Sequence, residues 1–164
     1  MAYQDDIKKA AALLLPWNKL SGCNILVTGA TGLIGGCLVD VLMAHKGRNY
    51  NVYASGRNEE RAGRRFLKYA DDNSFHFVKY DVAQPLEYDV NFQYIIHAAS
   101  GAYPEEFIKH PVEVIKGNIN GVDNLMGYGI QHGIKRLLYI SSGEVYGEGD
   151  GRVFTENYSG YVDC

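Results

Sequence analysis

The stretch Thr28-Gly29-Ala30-Thr31-Gly32-Leu33-Ile34-Gly35 constrains this chain more than any other. It follows the apolar run Asn24-Ile25-Leu26-Val27 and leads directly into Cys37-Leu38-Val39-Asp40-Val41-Leu42-Met43. Strand, glycine turn and helix in that order form the context in which spaced glycines hold a dinucleotide. Gly29 permits a tight turn, Gly32 lets backbone approach a pyrophosphate, and Gly35 allows helix and strand to pack closely. Unpaired N–H groups at the helix start, with the positive end of its dipole, attract phosphate.

The rest of the chain continues the alternation. Strand signals fall at Asn24–Thr28, Asn51–Ser55, Phe75–Lys79, Tyr94–His97 and Arg136–Ser141, with helical stretches at Leu33–Lys46, Glu59–Tyr69 and in two pieces within Pro104–His132. This rhythm predicts an α/β fold, a Rossmann-type doubly wound parallel sheet of strand order 3-2-1-4-5 with right-handed crossovers. Residues 3–15 predict an amphipathic helix stopped at Pro16 and packed on the domain, with Ile7, Ala10, Ala11, Leu14 and Leu15 on one face. A partner-binding arm is the other reading of that segment. Residues 1–20 thus form a helical extension and 21–164 the nucleotide-binding domain. Beyond Gly143 the chain is polar and glycine-rich and reads as a loop.

Composition excludes several classes. With 16 basic against 19 acidic residues the net charge is −3, which argues against a broad nucleic-acid footprint. No segment is long and apolar enough for a bilayer, and the acidic start does not resemble a secretory signal. Cys23, Cys37 and Cys164 are widely spaced and odd in number, as expected of reduced thiols in a cytoplasmic protein. The histidines form no metal signature, and His97, continuing an apolar strand, reads as packed rather than catalytic.

Four further stretches sit where a cofactor fold needs them. Asp81, just past the third strand, could accept from an adenine amino group with Val82 against the ring; a turn cap explains it equally well. His97-Ala98-Ala99-Ser100 ends the fourth strand with small residues on which a flat ligand can lie. Gly117-Asn118-Ile119-Asn120-Gly121 places poor helix formers inside a helix, consistent with a polar tie to a neighbouring strand. Ser141-Ser142-Gly143-Glu144-Val145-Tyr146-Gly147 brings a hydroxyl and a carboxylate to the end of the fifth strand, where they are candidate catalytic groups or an ordinary turn.

In order and spacing, TGATGLIG, YDV, HAAS, the Pro111-to-Asn118 interval before NING, and ISSGEVYG resemble the extended short-chain dehydrogenases. More narrowly they resemble the NAD-dependent epimerase/dehydratase group that acts on nucleotide-activated sugars, over about Asn24 to Gly147. The resemblance implies that Gly29, Gly32 and Gly35 bind the pyrophosphate, with Leu33 and Ile34 nearby and Thr31 also at the cofactor, and that Asp81 and Val82 face the adenine. It also implies that Ala98, Ala99 and Ser100 line the way to the nicotinamide, with Asn118 near the active site. Ser142 would hydrogen-bond the sugar hydroxyl being oxidised, and Glu144 would act beside it.

Two departures matter. About twenty residues past the glycine turn, an acidic group would hold the ribose 2′-OH of NAD, but Ala54-Ser55-Gly56-Arg57 has none. Arg57 suits the 2′-phosphate of NADP better, with Arg61, Arg64 and Arg65 as helpers or as a solvated helix face. The cofactor expected is therefore NADP or NAD, with the Arg favouring NADP. The family's acid/base Tyr-x-x-x-Lys is also missing after Ser142, since Val162 stands four residues beyond Tyr158. The expectation is an amino-terminal portion of a longer enzyme, truncated after about five strands and inactive alone. A non-catalytic NADP-binding regulatory module is the alternative. Gly143 stands where related dTDP-glucose 4,6-dehydratases carry an Asp, which leaves UDP-glucuronate decarboxylases, with a Glu and no Asp, an equal match. The uncovered face and strand-five edge point to weak stability or pairing, for example as a homodimer.

Overall fold

The computed structural model describes residues 2–100 and 104–161. Cys164 and Val162 lie outside that range. Five strands form one parallel sheet in the order β3-β2-β1-β4-β5, as the alternation predicts. They are β1 (Asn24–Thr28), β2 (Asn51–Gly56), β3 (Phe75–Lys79), β4 (Tyr94–His97) and β5 (Arg136–Tyr139). The helices are α1 (Ala2–Ala11), α2 (Leu33–Ala44), α3 (Glu59–Phe66), α4 (Pro104–Lys109) and α5 (Pro111–Gln131).

Strand periodicity sorts the core into two layers. Ile25, Val27, Val52 and Ala54 point to the side of α2 and α3, where they meet Val39 and Phe66. Leu26, Tyr53 and Ile95 point the other way, onto Leu125 and Tyr128 of α5. Successive residues of a strand face opposite sides, so a strand buried on both faces reads as a continuous apolar run. Every carboxyl end lies on one rim, with Thr28 opposite His97 and His97 opposite Tyr139 in register.

Several boundaries depart from the sequence reading: α2 ends at Ala44 rather than Lys46, β2 runs on to Gly56, α3 gives way to a 3₁₀ turn at Leu67–Tyr69, and three larger differences follow. Helix α1 stops at Ala11 rather than reaching residue 15, and Leu13, Leu14 and Leu15 are exposed instead of continuing the buried face of Ile7 and Ala11. Its end is taken over by side chains. His45 Nδ1 donates to Ala11 O at 3.1 Å and Trp17 Nε1 donates to Leu13 O at 2.9 Å, with the two rings stacked at 4.2 Å. Leu15 also precedes a proline, which disfavours the helical region.

Strand β5 ends at Tyr139, two residues early, because its one strand neighbour, β4, ends at His97. A single further bond, Ile140 N–H to His97 O at 2.9 Å, closes the pairing. Beyond Gly143 the chain is more ordered than expected. Residues Gly143–Tyr146 form a 3₁₀ turn, and Glu148 bridges Tyr161. Among the described residues no helix is long and apolar enough to cross a membrane. Cys23 is buried, Cys37 is partly so, and both are free thiols.

Candidate functional site

The glycine turn is held from below. Gly29 adopts φ of +64°, a conformation that glycine takes without strain. A Cβ there would lie 2.4 Å from Ala98 O, so the β1 turn and the β4 end touch through backbone alone. Gly35 is equally constrained, because its Cβ would stand 2.4 Å from Gly29 O. Ala30 N–H donates to Ser55 O at 3.0 Å, tying the turn to β2. Gly32 caps α2 with no side-chain hydrogen bond, and the first turn of α2 carries no acidic residue. The helix start thus presents N–H groups without a competing anion, the arrangement a pyrophosphate needs. Leu33 and Ile34 are exposed at this mouth, and Thr31 borders it.

Beneath the turn, Thr28 Oγ1 and His97 Nδ1 share a hydrogen bond of 2.7 Å, and both residues are fully buried. Burial pushes the His97 pKa down. Its Nε2 has no hydrogen-bond partner among the described residues and faces Gly121 of α5, where a Cβ would stand 3.0 Å away. That contact accounts for the glycine at 121. Gly117 has open space around its Cβ position, so packing does not demand it.

Helix α5 ties together two of the loops around the rim. Ser100 Oγ donates to Asn118 Oδ1 at 3.0 Å, and Asn124 Nδ2 donates to Val82 O at 3.0 Å. Asn118 therefore reaches the strand-four end as its position suggests. Asp81 is exposed and its Oδ1 accepts from Ala83 N–H at 3.1 Å, which is the capping geometry; its second oxygen has no hydrogen-bond partner among the described residues. Ala98 and Ala99 are half-buried along the rim.

Ser142 Oγ accepts from Glu144 N–H at 3.3 Å and so starts the 3₁₀ turn. Because the oxygen is an acceptor in that bond, the hydroxyl proton is left to donate elsewhere. Both side chains are exposed. A stacked aromatic pair, Tyr146 on Phe154 at 5.3 Å, and the bond from Gly160 N–H to Tyr146 O fasten the segment behind them.

On the β2 side, Thr31, Arg57, Asn58, Arg61 and Lys79 border an open groove, together with the carboxylates of Glu59 and Glu60. Asn58 caps α3 by accepting from Arg61 N–H at 2.8 Å, and the Arg61 guanidinium donates to Thr31 O at 3.1 Å. Glu59 and Glu60 are drawn to Lys79 (2.9 Å) and Arg64 (3.3 Å). Among the described residues no carboxylate forms an ion pair with Arg57 or Arg61. Arg64 and Arg65, which the sequence leaves as helpers or as a solvated helix face, do not reach this groove, and Arg64 lies exposed beside Glu60. Arg65 turns to the back of α2 and pairs with Asp40 at 2.5 Å.

The NAD dependent epimerase/dehydratase family model matches residues 25–162. The chain belongs to that family. UDP-glucuronic acid decarboxylase 1 of Danio rerio is 32% identical over 141 residues, covering 85% of this chain and 32% of its own length. UDP-glucuronic acid decarboxylase 6 of Arabidopsis thaliana is 34% identical over 146 residues, covering 87% of this chain and 40% of the relative. A UDP-glucose-4-epimerase from Stenotrophomonas maltophila, solved with NAD and formylated UDP-arabinopyranose, superposes with a TM-score of 0.68 at 25% identity. That match covers 84% of this chain and 42% of the epimerase. The chain therefore spans about a third to two-fifths of these proteins.

The sequence reading missed Asp40 and the Thr28–His97 pair. Asp40 carried a signal, being the one carboxylate in the apolar run from Cys37 to Met43. The Thr28–His97 bond joins residues 69 apart and had none.

Proposed function

We propose that this chain is the dinucleotide-binding part of a nucleotide-sugar-modifying enzyme that works through transient oxidation of a sugar hydroxyl. The observation that carries this is the turn at Gly29, Gly32 and Gly35, with no room for Cβ atoms at Gly29 and Gly35 and an uncapped helix start above it. Bound there, the dinucleotide supplies a hydride acceptor and donor. The chain's own residues bind and orient. The N-terminus of α2 receives the pyrophosphate, Leu33 and Ile34 cover it, and Asp81 with Val82 meets the adenine. Ala98, Ala99 and Ser100 leave a flat path toward Ser142, whose unengaged proton can bond the sugar oxygen.

Glu144, two residues along in the same 3₁₀ turn, is the carboxylate assigned to the proton on the carbon next to that hydroxyl. Gly143 offers no acid to protonate a departing hydroxyl. Two of the three named relatives are decarboxylases and the third an epimerase, which supports a reaction that needs no such acid. No Tyr-x-x-x-Lys follows Ser142 within these 164 residues, and none of them is assigned the exchange of the hydroxyl proton. Arg57 and Arg61 favour the 2′-phosphate of NADP over the bare ribose of NAD, since neither is neutralised by a carboxylate.

Isothermal calorimetry of the chain with NADP and with NAD tests the reading. The expected result is binding of both, tighter for NADP, with the preference inverted or lost in Arg57→Asp. Absence of heat from either at millimolar concentration would discard it.

A further inference from the structure

The cluster behind the groove is built from an element that the family model does not cover. Asp40 of α2 is fully buried, and its carboxylate is surrounded by donors from two other helical segments. Tyr3 Oη of α1 donates to Oδ2 at 2.6 Å, and the Arg65 guanidinium of α3 donates to the same oxygen at 2.5 Å. Lys68 Nζ at 2.9 Å and Tyr69 Oη at 2.8 Å, just past α3, meet Oδ1. Arg65 does more than pair. It also donates to Tyr3 Oη at 3.1 Å and to Gly36 O at 3.3 Å, one residue past the last glycine of the turn.

Helix α3 therefore touches the nucleotide-binding turn once and the body of α2 behind it once. Its first turn reaches Thr31 O through Arg61, and its last reaches Gly36 and Asp40 through Arg65. Arg61, which borders the groove, and Arg65 thus stand on one short helix that is tied to both the turn and α2. Tyr3 closes the second contact from behind, 37 residues away in sequence.

We propose that the N-terminal helix is a positioning element for the adenosine end of the cofactor site, with Tyr3, Asp40 and Arg65 as the positioning residues. Through them α1 sets the spacing between the glycine turn and the Arg57/Arg61 groove, and hence the affinity for a 2′-phosphorylated dinucleotide. This rests on the NADP reading above. Coupling between two sites is reciprocal, so a bound dinucleotide must in turn hold α1 down.

The test uses Tyr3→Phe, which removes one hydroxyl, and amide exchange read by mass spectrometry. Tyr3→Phe is expected to weaken NADP binding by about three- to ten-fold while NAD affinity stays within about two-fold. Saturating NADP is expected to slow exchange in residues 2–11 of the unaltered chain and to lose that effect in the variant. If the variant melts earlier but keeps the NADP-to-NAD ratio and the exchange effect, α1 is only a brace and the proposal is overturned. Equal affinity of the unaltered chain for both dinucleotides removes the 2′-phosphate reading. The positioning role then survives if NAD slows exchange in residues 2–11, and falls if it does not. Should Tyr3→Phe fail to fold, the exchange experiment on the unaltered chain decides alone.

Discussion

Thr28 and His97, at the carboxyl ends of adjacent strands, bury a 2.7 Å hydrogen bond directly beneath the glycine turn. The pairing puts a polar contact into the floor of the candidate cofactor site, and it places an ionisable ring where water does not reach.

That placement gives a pH dependence with a definite sign. Burial holds the His97 pKa below its ordinary value of 6.5, so near and below that pH the unfolded chain binds more protons than the folded one. Stability is full above about pH 6.5 and declines as pH falls through the depressed folded value. His97→Gln is expected to remove up to about 1.4 kcal/mol per pH unit of slope below pH 6.5, measured by urea unfolding at pH 7, 6 and 5. An unchanged slope would show that His97 is not the titrating group.

Asp40 acts at a lower pH. Burial pushes its carboxyl up, but hydrogen bonds from Arg65, Tyr3, Lys68 and Tyr69 outweigh that and hold it at about 2, below the usual 3.8. Its contribution, on the order of 2 kcal/mol, is present above about pH 4 and lost as pH falls towards 2. Asp40→Asn should lower stability at pH 7 by about 3 kcal/mol, because it leaves the donors of Arg65 and Lys68 facing a neutral group. Acid titrations of both proteins followed by circular dichroism should converge near pH 2.

The two glycines at 29 and 117 separate geometry from composition. Gly29→Ala puts a Cβ on Ala98 O at positive φ and is expected to destabilise the fold by about 2–3 kcal/mol and weaken dinucleotide binding at least about tenfold. Gly117→Ala meets open space in a helix interior and should stabilise by about 0.5–1 kcal/mol. Thermal melts and calorimetry on both variants check the pair.

This contrast also shows how far the sequence could be read. The sheet order followed from alternating β-like and helical runs, and the turn followed from three glycines at a strand-to-helix junction, because both signals are local. Gly117 and Gly121 looked alike in sequence. The ring of His97 makes only the second one necessary, and that contact spans 24 positions. Arg64 and Arg65 likewise looked equivalent to Arg61. One helical turn sends Arg65 to a buried carboxylate and leaves Arg64 on the surface beside Glu60. The end of α1 was set by Trp17 and His45, whose bonds to carbonyls no helical periodicity contains.

The outer face of α5 carries the last prediction. Val112, Ile115, Ile119, Met126 and Ile130 are exposed at spacings of three, four, seven and four, which places them on one stripe of the helix. The adjacent edge strand β5 leaves Leu138 and Tyr139 exposed as well. A stripe of this kind left to water favours burial against another copy of the chain. Sedimentation over a hundredfold range of concentration is expected to show association that Ile119→Lys reduces by about tenfold or more. The substituted ammonium would have to be desolvated at the contact, whereas in the monomer it stays in water and leaves the melting temperature unchanged. A chain that sediments as a monomer throughout would mean that the stripe is covered in some other way.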